Sequence, residues 1–306
     1  MIPLNQHGPA ILLRKVQRWF EPDLDPARAS RVFEEFDEQR GFAHWHAYCK
    51  SKLVRSLPSR PASSVVRDGF AVQQIVSAEK AAGLLAAAGG SSKVERLKRD
   101  SAKLQGYDLS DAALVQRLVD TALTDEVDAH CVEFFRSEYF VYWYTLSRTA
   151  PVEGPASVSF MWHCDRGPRA HLKLLVYLND YAEHGGGTAY LDLESSSAVA
   201  NSGYVFARGR RRTASLGQLE ALAGRPLKAY EHHPRAGDSV LFQPSRVLHC
   251  GLTPKLGPRY VLTLCLLPSP TPWREALAHE AQIDLRRDPI WHEHASELRA
   301  RFSSAE

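Results

Sequence analysis

The feature that most constrains the fold is a succession of short apolar segments between residues 132 and 268. They are rich in aromatic and β-branched residues, which suit the pleated surface of a sheet, and turn-forming Gly, Pro, Asn or Asp separates them. Seven such segments follow one another: EFFRSEYFVYWYTLSR, HLKLLVYLN, GTAYLDL, GYVFAR, DSVLFQP, RVLHCGL and RYVLTLCLLP. Short strands at this spacing predict a mainly β core, a double-stranded β-helix or jelly-roll barrel of about eight strands.

Helical patterns flank this β-rich core. Apolar residues recur with helical spacing before residue 60, and further helices are predicted from Ser77 and from about Ser110, where Ser110 or Asp111 caps the start. The tail is also helical, with a break near Pro289.

The predicted organisation is an N-terminal helical extension, residues 1–60, followed by one domain, residues 61–306. The jelly-roll core of that domain covers about 132–268, and helices at 271–302 follow it. The Pro- and Ser-rich stretch SLPSRPASS marks the connection between the two parts.

Composition is that of a globular protein and excludes several classes. Of 306 residues, 44% are hydrophobic and 24% are charged, and the formal net charge is only +3, too small to predict a nucleic-acid partner. The five cysteines form no C-x-x-C pair. We find no signal-peptide pattern and no apolar run of transmembrane length, so the expectation is a cytoplasmic protein without a transmembrane segment. The sequence leaves the oligomeric state open.

A His-x-Asp pair, His163 and Asp165, directly precedes one apolar segment. Chance alone produces about 0.7 such spacings in a chain of this composition, so the pair carries little information by itself. In a strand, however, side chains at i and i+2 share a face, which directs both residues together and directs Trp162 and Cys164 the other way. His249, in the later segment RVLHCGL, is the candidate third ligand. Two histidines and one carboxylate with open positions are typical of nonheme Fe(II) oxygenases.

Arg259 lies ten positions after His249, at the start of another apolar strand. A planar guanidinium holds a carboxylate through paired hydrogen bonds better than an ammonium does. This position suits an enzyme that uses the dicarboxylate 2-oxoglutarate.

Together these motifs resemble the Fe(II)- and 2-oxoglutarate-dependent dioxygenases, most closely the prolyl-hydroxylase and phytanoyl-CoA-hydroxylase branches. The resemblance covers about residues 140–268, and its motifs occur in the family's order: His163-x-Asp165, LLVYLND with GGGT at 185–188, AGDSVLF at 236–242, His249 and Arg259. It implies Fe(II), 2-oxoglutarate and O2 as cofactor and cosubstrates, with release of succinate and CO2. Because halide-transferring relatives lack the carboxylate ligand, Asp165 favours hydroxylation or desaturation over halogenation.

The resemblance also implies a role for each site residue. His163, Asp165 and His249 would be the iron ligands and the catalytic centre. The cosubstrate contacts implied or expected from position are Arg259, Tyr177, Tyr144 and Thr263. Many members carry a serine two positions after the arginine, where this chain has Val261. Thr263 lies on the same strand face as Val261 and is the expected substitute for that serine.

The sequence is also compatible with other interpretations. The same three ligands could hold a catalytic zinc, or the barrel could be a binding module without turnover. Among substrates, a small molecule is favoured over a protein side chain. The arginine run at 208, 210, 211 and 212 is most simply a solvated loop, and its alternative interpretation, a contact for an anion, gives a mild preference for an anionic substrate. Lys173 alternates with the apolar positions of its strand and, in another register, would face substrate. The pairs His44/His46, His232/His233 and His292/His294 are expected to be surface or packing residues.

Overall fold

The structure is a computed structural model. It describes residues 42–57, 63–89, 94–96, 104–107, 109, 111–151, 153, 158–165, 169–202, 204 and 212–278. The helices predicted before residue 42 and after residue 278, the strand GYVFAR apart from Tyr204, the arginines at 208, 210 and 211, and the pair His292/His294 lie outside these residues.

Helices account for much of the described chain before residue 136 and recur in the connections of the β-rich part. In chain order they are α1 Phe42–Ser51, α2 Ser64–Arg67, α3 Ala78–Gly89, α4 Ala112–Ala122, α5 Asp125–Phe135, α6 Tyr181–His184, α7 Leu193–Ala200, α8 Leu216–Ala223 and α9 Trp273–Ala278. None of the helices within the described ranges has the length and apolarity that a bilayer crossing demands.

The described strands form two antiparallel sheets. In chain order they are β1 Phe70–Gln74, β2 Val94–Arg96, β3 Leu104–Tyr107, β4 Glu138–Thr149, β5 Leu172–Tyr177, β6 Thr188–Leu191, β7 Ala229–His232, β8 Asp238–Phe242, β9 His249–Gly251 and β10 Arg259–Ser269. One sheet has seven strands in the order β1-β8-β5-β10-β4-β3-β2, and the other has three in the order β7-β6-β9. The predicted β core with flanking helices is confirmed at this level, and closure into a jelly-roll barrel stays a prediction.

The seven-stranded sheet separates the main core from the site. Leu174 of β5 and Leu264 of β10 pack with Leu118 of α4 and Val132 of α5 in one buried cluster, so the helices cover one face of the sheet. The other face contributes to a second cluster, which includes side chains from both sheets: Phe70, Tyr177, Tyr190, Val240, Phe242, Val247 and Val261. Alternation along each strand therefore sends one set of residues to the helices and the other set to the space between the sheets.

Several predicted boundaries need correction. The single helix predicted from about Ser110 is two helices, because the chain turns at Leu123 and Thr124, and the Thr124 hydroxyl accepts the Val127 N–H to begin α5. Asp111 caps α4 as predicted. The first predicted strand begins only at Glu138, since residues 133–135 complete α5. After β6 the predicted strand continues as helix α7, which Asp192 caps through the Ser195 N–H.

Gly237 and Gly83 provide a matched test of this packing. Gly237 has φ +89°, and a Cβ there would lie 2.0 Å from the Val76 carbonyl oxygen, whereas nothing lies within 4 Å of a Cβ at exposed Gly83 in α3. We expect Gly237→Ala to lower the free energy of unfolding by about 2–4 kcal/mol through strain and clash. Gly83→Ala should raise it by about 0.5–1 kcal/mol. Urea unfolding of both variants checks this, and equal effects would contradict the packing described.

Candidate metal and carboxylate site

Two histidines far apart in the chain meet through their backbones. His163 and His249 form an isolated antiparallel bridge, in which each N–H donates to the other's carbonyl at 3.0 Å. Their imidazole rings lie side by side, with centroids 4.4 Å apart. The bridge therefore brings together the two imidazole rings that the sequence predicts as metal ligands.

Backbone hydrogen bonds also orient both rings. Nδ1 of His163 lies 2.7 Å from the Met161 carbonyl oxygen, and Nδ1 of His249 lies 2.9 Å from that of Val247. A carbonyl oxygen can only accept, so each Nδ1 carries the proton and donates it. Each Nε2 is then the unprotonated nitrogen, which is the form that binds a metal.

Asp165 completes the group. Its N–H donates to the Pro244 carbonyl oxygen at 2.7 Å, which holds the segment after His163 against the loop following β8. Its carboxylate oxygens lie 3.7 Å from Nε2 of His163 and 3.8 Å from Nε2 of His249. One ligand atom from each residue lies within 4.8 Å of the others. Ligands at about 2.0–2.2 Å from a common metal have separations of this order.

The protonation states suit a metal. Burial, together with His249, lowers the pKa of His163 to about 3, and burial lowers that of His249, so both rings are neutral at neutral pH. Burial raises the pKa of Asp165, but Lys173 and the two histidines lower it further than burial raises it, and the carboxylate is ionised. Neutral imidazoles and an ionised carboxylate bind divalent cations without first losing protons.

The residues that alternate with the ligands turn away from the site. Trp162, Cys164 and Cys250 are buried in a separate cluster behind the three-stranded sheet. This is the orientation that strand alternation predicts. All five cysteines are free and buried.

Arg259 is a buried cation without a carboxylate partner in the described part of the chain. The residue is 7% exposed. Its Nη1 donates to the carbonyl oxygens of Gly187 and Leu252, but its buried Nε has no hydrogen-bond partner among the described residues. Burial lowers the pKa of the guanidinium, and the nearby Tyr177 and Tyr190 raise it. A buried charge left in this state is costly unless an anionic ligand pairs with it.

Hydroxyl groups line the region between Arg259 and the histidines. The Tyr177 hydroxyl lies 2.8 Å from Oγ1 of Thr188, and either group can donate. Thr188 and Tyr190 share a face of β6, and Tyr190 is the strand partner of His249. Hydroxyl groups that can donate to a carboxylate are thus found between Arg259 and Tyr190, the strand partner of the proposed ligand His249.

The other two predicted cosubstrate contacts fare differently. Thr263 is buried on β10 opposite Leu175 of β5, and alternation places it on the same face as Arg259. Tyr144 pairs with Leu264 and packs against the cluster under the helices. Strand register therefore corrects the prediction for Tyr144, which lies on the opposite face of the sheet from the site.

Sequence reasoning left Lys173 unresolved and did not identify Thr188 or Tyr190. The apolar residues Leu172, Leu174 and Val176 face the helices, so Lys173 faces the site, where its ammonium contacts Oδ2 of Asp165. Thr188 and Tyr190 could have been found from the two-residue period of TAYL once the sheet face was known.

Of the histidines expected to be surface or packing residues, the structure describes the side-chain surroundings of His46, His232 and His233. His46 has Nε2 2.8 Å from the Phe135 carbonyl oxygen, and burial lowers its pKa to about 4. His233 stacks on Tyr181 with ring centroids 4.2 Å apart, and His232 meets the Tyr177 ring edge-on at 5.4 Å.

No protein-family model matches the chain, and neither does any curated protein. Three solved structures illustrate what it is similar to. SnoN, a non-heme alpha-ketoglutarate-dependent epimerase from nogalamycin biosynthesis, is 18% identical over 67% of this chain and 81% of its own, with a TM-score of 0.48. EctD from S. alaskensis, with 2-oxoglutarate and 5-hydroxyectoine, is 17% identical over 69% of this chain and 76% of its own, with a TM-score of 0.47. HygX from Streptomyces hygroscopicus, with nickel, 2-oxoglutarate and hygromycin B, is 18% identical over 67% of this chain and 85% of its own, with a TM-score of 0.44. Identities this low leave the function of the chain to be argued from its own residues.

Removing one ligand should abolish tight metal binding. We expect His249→Ala and Asp165→Asn each to weaken the affinity for Mn(II) by more than about 100-fold, because loss of a ligand costs more than loss of the groups that orient it. Titration followed by the electron paramagnetic resonance of free Mn(II) measures this. His46→Gln is the matched control, since His46 bonds the Phe135 carbonyl, and it should bind like wild type. Wild-type affinity in either ligand variant contradicts the proposed centre.

Proposed function

We propose that the chain is an Fe(II)- and 2-oxoglutarate-dependent oxygenase. It most simply hydroxylates a small organic substrate and releases succinate and CO2. The observation that carries this proposal is the combination of three convergent N/O ligands with a buried arginine that lacks an anionic partner among the described residues. The hydrogen-bond donors between them make the pair of features one continuous site.

The ligand set fits ferrous iron. His163, Asp165 and His249 supply two nitrogens and one oxygen from one side and leave the other positions free, which is the facial arrangement used for Fe(II). When bound, the iron and 2-oxoglutarate would supply O2 activation and the electrons that it needs.

The chain's own residues bind and orient the cosubstrate. Arg259 supplies the charge for the distal carboxylate of 2-oxoglutarate, and the hydroxyls of Tyr177 and Thr188 are positioned to donate to the same group. Thr263 lies further along the same strand face, where it can contact the cosubstrate chain. Binding of the dicarboxylate would compensate the charge of the buried guanidinium. Because folding has already desolvated that charge, the affinity for 2-oxoglutarate would be higher than for a solvated arginine.

Apolar side chains exclude water around these groups. Phe242 packs edge-on against the His249 ring with centroids 4.9 Å apart and against Tyr190 at 5.2 Å. Val240, Val247 and Val261 complete the buried lining. Such a dry environment strengthens the electrostatic contacts to the cosubstrate and protects reactive species from side reactions.

The same three residues could bind a catalytic zinc, but zinc chemistry would not explain the buried charge of Arg259. A zinc hydrolase needs a bound water at the open position and no second anion held by a buried guanidinium. The uncompensated charge of Arg259 therefore favours the dicarboxylate-dependent chemistry.

Ligand variants test the proposed reaction. Wild type supplied with Fe(II), O2 and 2-oxoglutarate should form succinate, and His163→Ala and Asp165→Ala should reduce its formation to the level without enzyme. Succinate is quantified by mass spectrometry, with His46→Gln as the variant expected to retain turnover. Succinate formation by either ligand variant at the wild-type rate defeats the assignment.

A separate variant tests the role of Arg259. Arg259→Gln should weaken 2-oxoglutarate binding to the Mn(II)-loaded protein by about 10- to 100-fold, which corresponds to the loss of charge-assisted hydrogen bonds. Mn(II) affinity should change little, because Arg259 is not a ligand. Calorimetry measures both constants. Arg225→Gln, which removes a surface arginine paired with Glu194, is the control. Unaltered 2-oxoglutarate affinity in Arg259→Gln refutes this role.

A further inference from the structure

We propose that Lys173 binds an anionic group of the primary substrate, a carboxylate or a phosphate, beside the metal. This assignment rests on the proposed function, because it concerns the substrate side of the same centre.

Lys173 is an ammonium placed among apolar residues on the site face of a central strand. β5 pairs with β8 on one side and β10 on the other, and Lys173 lies opposite Phe242 and Cys265. Its Nζ contacts Oδ2 of Asp165 and lies 5.4 Å from the centre of the Trp143 ring. The side chain remains 19% exposed, so the charge reaches the site without being sealed from it.

The position of Lys173 separates it from the cosubstrate's distal carboxylate. Tyr177, beside Arg259, is four residues further along the same strand face, about 13 Å away at the rise of a β-strand. Arg259 and Lys173 therefore mark opposite ends of the site, with the metal ligands next to Lys173. A second anion at the Lys173 end does not compete with the one at Arg259.

The charges around the centre call for that second anion. Within the described residues, the one carboxylate that forms an ion pair with Lys173 is Asp165, which is also the proposed metal ligand. With a divalent cation bound, this single negative charge faces the two charges of the metal and the one of Lys173. The near carboxylate of 2-oxoglutarate offsets one more, and one positive charge remains for the substrate to compensate.

A second cation lies on the same side of the centre. The backbone N–H of Trp162 donates to the Thr213 carbonyl oxygen at 2.8 Å. Arg212 directly precedes Thr213, so this bond holds it near the segment that carries His163. The charge of Arg212 contributes to the lowered pKa of both His163 and His249. Arg212 is the member of the arginine run that the structure describes, and it extends the positive surroundings of the metal beyond Lys173.

Inorganic phosphate is a suitable probe for this subsite. The wild-type protein is first loaded with Mn(II) and saturated with 2-oxoglutarate, and both affinities are measured. Phosphate is then titrated, and its binding near the metal is followed by paramagnetic broadening of the phosphorus NMR signal, while 2-oxoglutarate is shown to stay bound. We expect Lys173→Met to weaken phosphate binding by about 10-fold or more and Lys173→Arg to retain it within about 3-fold. Lys255→Met, at an exposed lysine, is the matched control and should equal wild type.

Metal affinity gives an independent readout. Lys173→Met removes the partner that competes with the metal for Asp165 and the positive charge that repels it, so Mn(II) should bind several-fold more tightly than to wild type. Damage to the fold would weaken Mn(II) binding instead, which identifies a variant that is merely misfolded. In that event Lys173→Gln replaces it in both measurements.

The outcomes separate the two proposals. Failure of wild type to bind Mn(II) or 2-oxoglutarate overturns the proposed function and this assignment with it. Normal binding of both, combined with no broadening by the wild-type complex or with equal phosphate affinity in wild type and Lys173→Met, overturns the assignment of Lys173 alone. Weakened phosphate binding with tightened Mn(II) binding supports it.

Discussion

The site depends on the pair of backbone hydrogen bonds between His163 and His249. These bonds fix the two residues as direct antiparallel partners, whose Cα atoms in such a pair lie about 5.5 Å apart. Spacing between the rings is therefore set by the sheet rather than by flexible side chains. The Met161 and Val247 carbonyls then fix the rotation of each ring, and the Pro244 carbonyl anchors Asp165. Every proposed ligand is positioned by main-chain atoms, which cannot move without disturbing the strands.

The space between the sheets holds partly or fully buried charges at both of its ends. At one end, Asp165 is ionised and Lys173 contacts it; at the other, Arg259 is held by two carbonyls. Gly187 contributes to the second end, since its carbonyl accepts from Arg259 and a Cβ on it would lie 2.0 Å from the His232 carbonyl oxygen. The glycine-rich motif before Thr188 thus lets β6 and β7 approach closely enough to form the arginine pocket.

Sequence periodicity predicted much of this arrangement, and its errors have physical causes. The i, i+2 rule correctly oriented His163 and Asp165 against Trp162 and Cys164, because alternation is a local property of extended chain. Tyr144 was misplaced, since β4 is apolar on both faces and a local pattern cannot tell which face meets the helices. Lys173 was ambiguous for the same reason. The bridge between His163 and His249 joins distant segments, and only the assembled sheets reveal it.

The alternation that turns Cys164 and Cys250 away from the proposed ligands would also determine whether the centre has hard or soft ligands. Each thiol directly follows a histidine, and burial raises the pKa of both, that of Cys250 to about 12. A slip of one residue in the pairing could bring Cys250 opposite His163, or Cys164 opposite His249, and would exchange one imidazole for the kind of soft sulfur ligand that zinc and copper(I) prefer. The register of the strands would thus contribute to the metal selectivity of the proposed centre.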